Sequence, residues 1–185
     1  GVLAPQFFEP EFSDWNVSYD LTVAYEIAPD IRAHATYAKT FKPGGINLNG
    51  VPNDAQGRPV IEVGSVQAES VNHYEIGLKT QFWNRRATLN LAAFRTDIDD
   101  FQAQVVNGQT GVLRGYLANA DKVRTQGFEW DFSIRPTPRF NTYVSGAYTD
   151  ATYRSFPDAP CPPELSGGTT VGEGQTPSAP GTPGG

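Results

Sequence analysis

Residues 15–27 alternate without a break. Trp15, Val17, Tyr19, Leu21, Val23, Tyr25 and Ile27 take the odd positions, and Asn16, Ser18, Asp20, Thr22, Ala24 and Glu26 take the even ones. A strand turns successive side chains to opposite faces, so this segment is a ribbon with one apolar and one polar face. It is also long: a strand in a soluble domain runs about 5–6 residues, whereas a tilted strand crossing a bilayer needs about 9–11. The apolar face needs a partner, either a protein core or lipid, and alternation alone does not say which.

The pattern recurs along the chain. It predicts strands over about 13–27, 31–41, 68–83, 86–103, 121–134 and 139–153. In the fourth, the phase slips near Phe94, which predicts a bulge. In the last, Val144 and Tyr148 fall opposite Tyr143 and Ala147, which leaves its apolar face ambiguous. The connections alternate in length. Turns at 28–30, 83–85 and 135–138 are short, and the segments 42–66 and 104–118 are long and rich in Gly, Pro and Asn. Past Phe156 the chain is dominated by Pro, Gly, Ser and Thr. This predicts an all-β, antiparallel up-and-down meander of about six strands over 1–155, with its long loops at one end, and an extracellular loop or disordered tail over 156–185.

Composition narrows the partner of the apolar face. No stretch approaches the roughly 20 apolar residues of a membrane helix, but a barrel's signal is diluted by its polar lumen residues. The 8 Tyr, 11 Phe and 3 Trp suit strands with interfacial girdles. Aromatics also sit at ribbon ends: Trp15, Tyr19, Phe82, Trp83 and Phe140. The opposite face mixes charges of both signs, such as Glu75 and Lys79, as a packed polar lumen would. Length, connection order and aromatic placement therefore favour a transmembrane barrel. Trp15, Val17, Tyr19, Leu21, Val23, Tyr25, Phe128, Trp130 and Phe132 would then face lipid. A net charge of −6 argues against nucleic acid as a partner. Cys161 is the only cysteine, so no disulfide can form within the chain. The sequence contains no methionine, which predicts an internal piece of a longer protein.

No catalytic constellation is legible. His34 neighbours Arg32 and suits a lumen hydrogen bond better than a cation site. Asp97, Asp99 and Asp100 lack the glycine and distal Glu of a calcium loop. Glu75 and Glu129 lie inside strands of the polar face, and no Lys-Ser pair follows Gly44-Gly45. The expectation is a protein that is not an enzyme and carries no cofactor.

Five segments carry a resemblance, in order. Tyr37-Ala-Lys-Thr-Phe-Lys-Pro-Gly-Gly-Ile-Asn47 resembles the strand-to-loop segment of TonB-dependent outer-membrane receptors. Glu69-Ser70 with Tyr74-Glu-Ile-Gly-Leu-Lys79 resembles that family's next strand, and Leu89-Asn-Leu-Ala-Ala-Phe94 with Asp97-Ile-Asp-Asp-Phe-Gln102 resembles the one after. Asn119-Ala-Asp-Lys-Val-Arg-Thr-Gln-Gly-Phe-Glu129 and Ala147-Tyr-Thr-Asp-Ala-Thr-Tyr153 resemble the two that follow. The resemblance covers about 12–155 and implies part of a 22-stranded barrel in the bacterial outer membrane. Such receptors import ferric siderophores or similar scarce ligands, energised by the TonB complex through parts of the protein outside this segment. It implies ligand contacts in the loops, where Asn47, Asn49, Arg58, Gln109, Arg114 and Tyr116 are the candidates. A passive porin or structural barrel and a soluble β-sandwich binding module remain the alternatives.

Overall fold

The computed structural model describes residues 9–48, 50–51, 58–107 and 114–156. Its strands are β1 (Tyr19–Ala28), β2 (Ile31–Lys42), β3 (Gly45–Ile46), β4 (Ser65–Val66), β5 (Glu69–Phe82), β6 (Ala87–Asn107), β7 (Arg114–Thr137) and β8 (Phe140–Ser155). The six long strands form one antiparallel sheet in the order β1-β2-β5-β6-β7-β8, and β3 pairs with β4. The sheet is an open meander: β1 and β8 are its edges, and it does not close on itself. A three-residue 3-10 turn, Ile61–Val63, lies between β3 and β4.

Short turns join β1 to β2, β5 to β6 and β7 to β8. The middle one is held by an Arg86 N–H donated to the Trp83 carbonyl at 3.1 Å. Trp83, Asn84 and Arg85 all have positive φ, from 53° to 60°, so a tight reversal is made without glycine. Arg85 Nε donates to Asp30 Oδ1 at 2.9 Å, which ties this turn to the first. These turns mark one end of the sheet, the turn end. The opposite, loop end carries β3, the turn at Ile61–Val63, β4 and the far parts of β6 and β7.

Several expected limits shift. β1 begins at Tyr19 rather than near residue 13, so Trp15 and Val17 precede the strand. The β1–β2 register stops at Tyr19 opposite Lys39, although β2 itself runs on to Lys42 paired with β5. At the loop end, β6 runs on to Asn107 and β7 starts at Arg114. The long loop expected over 104–118 is therefore mostly ladder, from Gln104 opposite Leu117 to Asn107 opposite Arg114. The expected bulge at Phe94 is absent. Glu75, Phe94 and Gly127 stay in unbroken register, and the Phe94 ring lies on the polar face. It stacks on His73 with ring centroids 6.5 Å apart. Gly127 makes room for both neighbours: a Cβ there would collide with the Tyr148 carbonyl and stand 3.1 Å from the Phe94 ring. The register also resolves β8: Val144 and Tyr148 share a face with Phe132 and Phe128.

Burial is uneven. Val51, Val66, Ala103, Val105, Ala120 and Val123 are buried towards the loop end, and Ala87 is buried at the turn end. Across the rest of the sheet large apolar side chains stand open, including Leu21, Val23, Tyr25, Ile76 and Tyr148.

Candidate functional site

Cross-strand register sorts every wall residue onto one of two faces. Val23, Ala35, Ile76, Ala93, Phe128 and Tyr148 form one row across all six strands, and Tyr25, Ala33, Leu78, Leu91, Trp130 and Gly146 form the next. Leu21 is 63% exposed, Ile76 65% and Phe128 52%, so this is an uncovered apolar surface rather than a core. Trp130 and Phe132 are partly covered. The Trp130 indole lies over Gly146, where any Cβ would meet its ring within 2.8 Å. Phe132 stacks on Phe82 at 6.4 Å.

The apolar band crosses these rows obliquely. Its loop-end limit is Tyr19 on β1, Tyr37 and Tyr74 on β2 and β5, and Ala93, Phe128 and Tyr148 on β6 to β8. From β1 to β8 the limit falls by two rows. At about 3.3 Å per residue and about 4.8 Å between strands, that is about 13 Å over about 24 Å, a slope of about 30°. The turn-end limit steps the same way, from Ile31 on β2 to Phe82 on β5 and Ile134 on β7. Three tyrosines crown the band: Tyr19 packs edge-on to Tyr37 at 5.9 Å, and Tyr37 meets Tyr74 at 5.2 Å.

The other face is polar and internally bonded. His34 Nε2 lies 2.9 Å from Glu75 Oε1, and His73 Nδ1 lies 2.9 Å from the Thr96 hydroxyl. Asn90 Nδ2 donates to Asp131 Oδ1 at 3.0 Å, and the Thr22 and Thr36 hydroxyls meet at 2.9 Å. Gly77 leaves space here: a Cβ would collide with the edge of the His34 ring. Among the described residues no group of three or more His, Cys, Asp or Glu is arranged to hold a metal ion. The wall offers hydrogen bonds and charge.

At the loop end, polar side chains bind backbone. Asn47, 5% exposed, donates through Nδ2 to the Val63 carbonyl at 2.7 Å and the Leu117 carbonyl at 2.9 Å, and its Oδ1 accepts the Leu117 N–H at 2.8 Å. Its polar atoms are used inside the assembly and point to no open surface. Gln102 Nε2 donates to the Pro43 and Gln67 carbonyls, and its N–H donates to Glu69 Oε1, which also takes Lys42 Nζ at 3.1 Å. Asn119 accepts the Gln67 N–H and donates to the Gln67 and Asp100 carbonyls. Gln102, Asn119 and Glu69 stand in the family-like segments, but their fastening role has no local pattern, because each bonds backbone 19 or more residues away.

The other loop candidates are scattered. Tyr116 lines a shallow pocket with Ile46, Leu48, Gln104 and Gly115, and burial pushes its phenol pKa up. Arg58 is exposed, and Arg114 opens β7. Asn49 and Gln109 lie outside the described residues. On β6, Asp100 has φ 56°. Burial, then Asp99, then Asp121 raise its carboxyl pKa.

Comparison with known proteins agrees with this two-faced wall. A family model described as TonB dependent receptor-like, beta-barrel matches residues 4–183. The metal-pseudopaline receptor CntO of Pseudomonas aeruginosa strain UCBPP-PA14 is 28% identical over 130 residues, 70% of this chain and 16% of that protein; the receptor of strain PAO1 gives the same values. The crystal structure of the ferric yersiniabactin uptake receptor FyuA from Yersinia pestis superposes with a TM-score of 0.53 at 26% identity, covering 74% of this chain and 19% of that one. The chain thus spans about one-sixth to one-fifth of the length of these relatives.

Proposed function

The chain belongs to the TonB-dependent receptor-like β-barrel family, and on that premise we propose that it is a section of the wall of a bacterial outer-membrane receptor. The receptor would import a metal held by a small organic chelator, with energy from TonB, and would not act as an enzyme. The observation that carries the reading is the oblique apolar band. Strands of outer-membrane barrels tilt about 35–45° from the membrane normal, so a level slab of lipid wets them along a diagonal. The slope of about 30° across the hydrogen-bonded rows is what such tilt produces. A soluble sandwich gives no reason for an uncovered apolar face with a tyrosine crown.

On this reading Tyr19, Leu21, Val23, Tyr25, Phe128, Trp130 and Phe132 meet lipid, with Trp15 and Val17 beside the strand's outer end. His34, Glu75, Asn90 and Asp131 line the lumen. The turn end lies in the periplasm, and the loop end lies outside the cell, where Tyr116 is the candidate for ligand contact. Chelated metal is favoured as cargo because the named relatives are receptors for metal-pseudopaline and ferric yersiniabactin. The open edges of β1 and β8 cannot be left in hydrocarbon, so the activity belongs to the closed barrel.

The test is uptake. Cells lacking the parent gene, with and without functional TonB, are given radiolabelled iron or zinc bound to individual chelators. The reading predicts that the parent gene restores import of at least one complex and that loss of TonB abolishes it. Import that persists without TonB would identify a passive pore instead.

A further inference from the structure

Just past the loop-end limit of the apolar band, on the same face, stand Lys39 on β2, Arg95 on β6 and Arg124 on β7. Register places Lys39, Asn72, Asp97 and Arg124 side by side across four strands, with Arg95 one row nearer the band, next to Tyr74. Asp97 fixes both guanidiniums. Arg95 reaches its Oδ2 through Nε at 2.9 Å and through its second terminal nitrogen at 2.8 Å, and Arg124 Nε reaches Oδ1 at 2.6 Å. The side chain of Asp97 is 14% exposed and that of Arg95 48%, so the acid is the buried anchor and the cation the open group. A guanidinium carries five N–H donors, so both arginines keep donors beyond those given to Asp97. Three cations here face Asp97 and Asp150, whereas one row farther out Lys122 and Asp99 neutralise each other at 3.0 Å. Lys39 has no ion pair among the described residues.

Beneath Arg95 the apolar face is grooved. Two shallow depressions share Ile76 and Ala93. The lower is lined by Ala33, Leu78, Leu91 and Phe128, and the upper runs past Ala35 and Tyr74 to Arg95. Alanines at 33, 35 and 93 form its low floor between larger neighbours.

We propose that this groove and the Arg95–Asp97–Arg124 cluster form a lipid subsite: an acyl chain lies over Ala93 and Ala35, and the headgroup phosphate sits on the two guanidiniums. Depth and chemistry agree. Arg95 is two residues beyond Ala93, about 7 Å along the strand, which is headgroup height above the apolar band. A planar guanidinium fork matches phosphate oxygens, and the Asp97 anchor holds two forks in place before a ligand arrives. The inference rests on the apolar face being lipid-facing, as proposed above.

The experiment uses the full-length parent receptor, with Cys161 replaced by serine. It is reconstituted in phosphatidylcholine vesicles containing spin-labelled phosphatidic acid or, separately, spin-labelled diacylglycerol. The readout is the association of each labelled lipid with the protein relative to phosphatidylcholine. Phosphatidic acid should be enriched up to about 25-fold over diacylglycerol, at about fivefold per guanidinium, and Arg95→Gln/Arg124→Gln should remove that preference. Lys122→Gln, in the neutral row, should leave it unchanged. Should the double variant fail to assemble, Arg95→Gln alone must lower the preference. Equal enrichment in wild type and variant overturns the subsite, as does its abolition by millimolar inorganic phosphate, which would indicate a free-anion site. A nitroxide at position 76 serves as the separate control: if it is not reached by lipid-dissolved quencher, the membrane reading itself has failed.

Discussion

Leu21 is an apolar residue of the alternating first strand and Asn47 a polar residue of a Gly- and Asn-rich segment, yet Leu21 is 63% exposed and Asn47 is 5% exposed. The wall is one sheet thick. Its side chains stand on two open faces, held by the ladder, by polar pairs such as His34–Glu75 and Asn90–Asp131, and by ring contacts such as Tyr37–Tyr74 and Phe82–Phe132. The loop end is closed. Val51, Val66, Ala103, Val105 and Ala120 are buried there, and Asn47, Gln102 and Asn119 saturate backbone groups that the ladder leaves over. The wall must be completed by its surroundings, lipid on one side and lumen contents on the other. The loop end carries its own core.

The contrast predicts that damage to the wall is global and side-specific, while damage to the loop end is local. The largest effect is expected from Leu21→Arg or Val23→Arg in the full-length protein. Each should cost about 2–4 kcal/mol of folding into vesicles, measured by urea titration, whereas Thr22→Arg on the opposite face should cost far less. Equal penalties at the three positions would return the strand to a soluble fold. Next is Asn47→Ala, which should weaken the loop end by about 2 kcal/mol through its three lost bonds. Hydrogen exchange at the Leu117 and Asn47 amides should accelerate while exchange in β1 and β2 stays as before. Acceleration throughout would show that the two regions unfold as one.

Gly77→Ala should cost about 1–3 kcal/mol, because the new methyl displaces His34 and with it the Glu75 contact. The mobility of a spin label beside His34 reads the displacement. The smallest effect belongs to Asp100. Its pKa is raised by burial and by Asp99 and Asp121, so its ionised form opposes folding. The stability it contributes is complete below its unfolded pKa of about 3.9 and is lost as pH rises through the higher folded value. Asp100→Asn removes that dependence and suits φ 56°, so it should stabilise the loop end by a few tenths of a kcal/mol after screening. Unchanged pH dependence of Leu117 exchange in this variant would assign the dependence to another group.

Much of the wall was legible because its signal is local. A period of two within one strand names both faces, and Leu21, Val23 and Phe128 needed no knowledge of their neighbours. The same rule misled at Phe94, where an aromatic in the polar phase reads as a slip. Its reason, the missing side chain of Gly127, lies 33 residues away on β7. Asn47 read as a loop residue open to ligand because Asn is common in loops, and only Val63 and Leu117 reveal it as a fastener.

By itself the sequence determined that the chain makes long two-faced strands joined alternately by short and long connections, since side-chain alternation and turn chemistry are written in neighbouring residues. The tertiary structure decided the rest: the register that slopes the apolar band by about 30°, the extension of β6 and β7 into the expected loop, and the burial of Asn47. Those depend on which residue stands across a strand, and pairing over tens of residues is set by the sum of many weak contacts rather than by any local pattern.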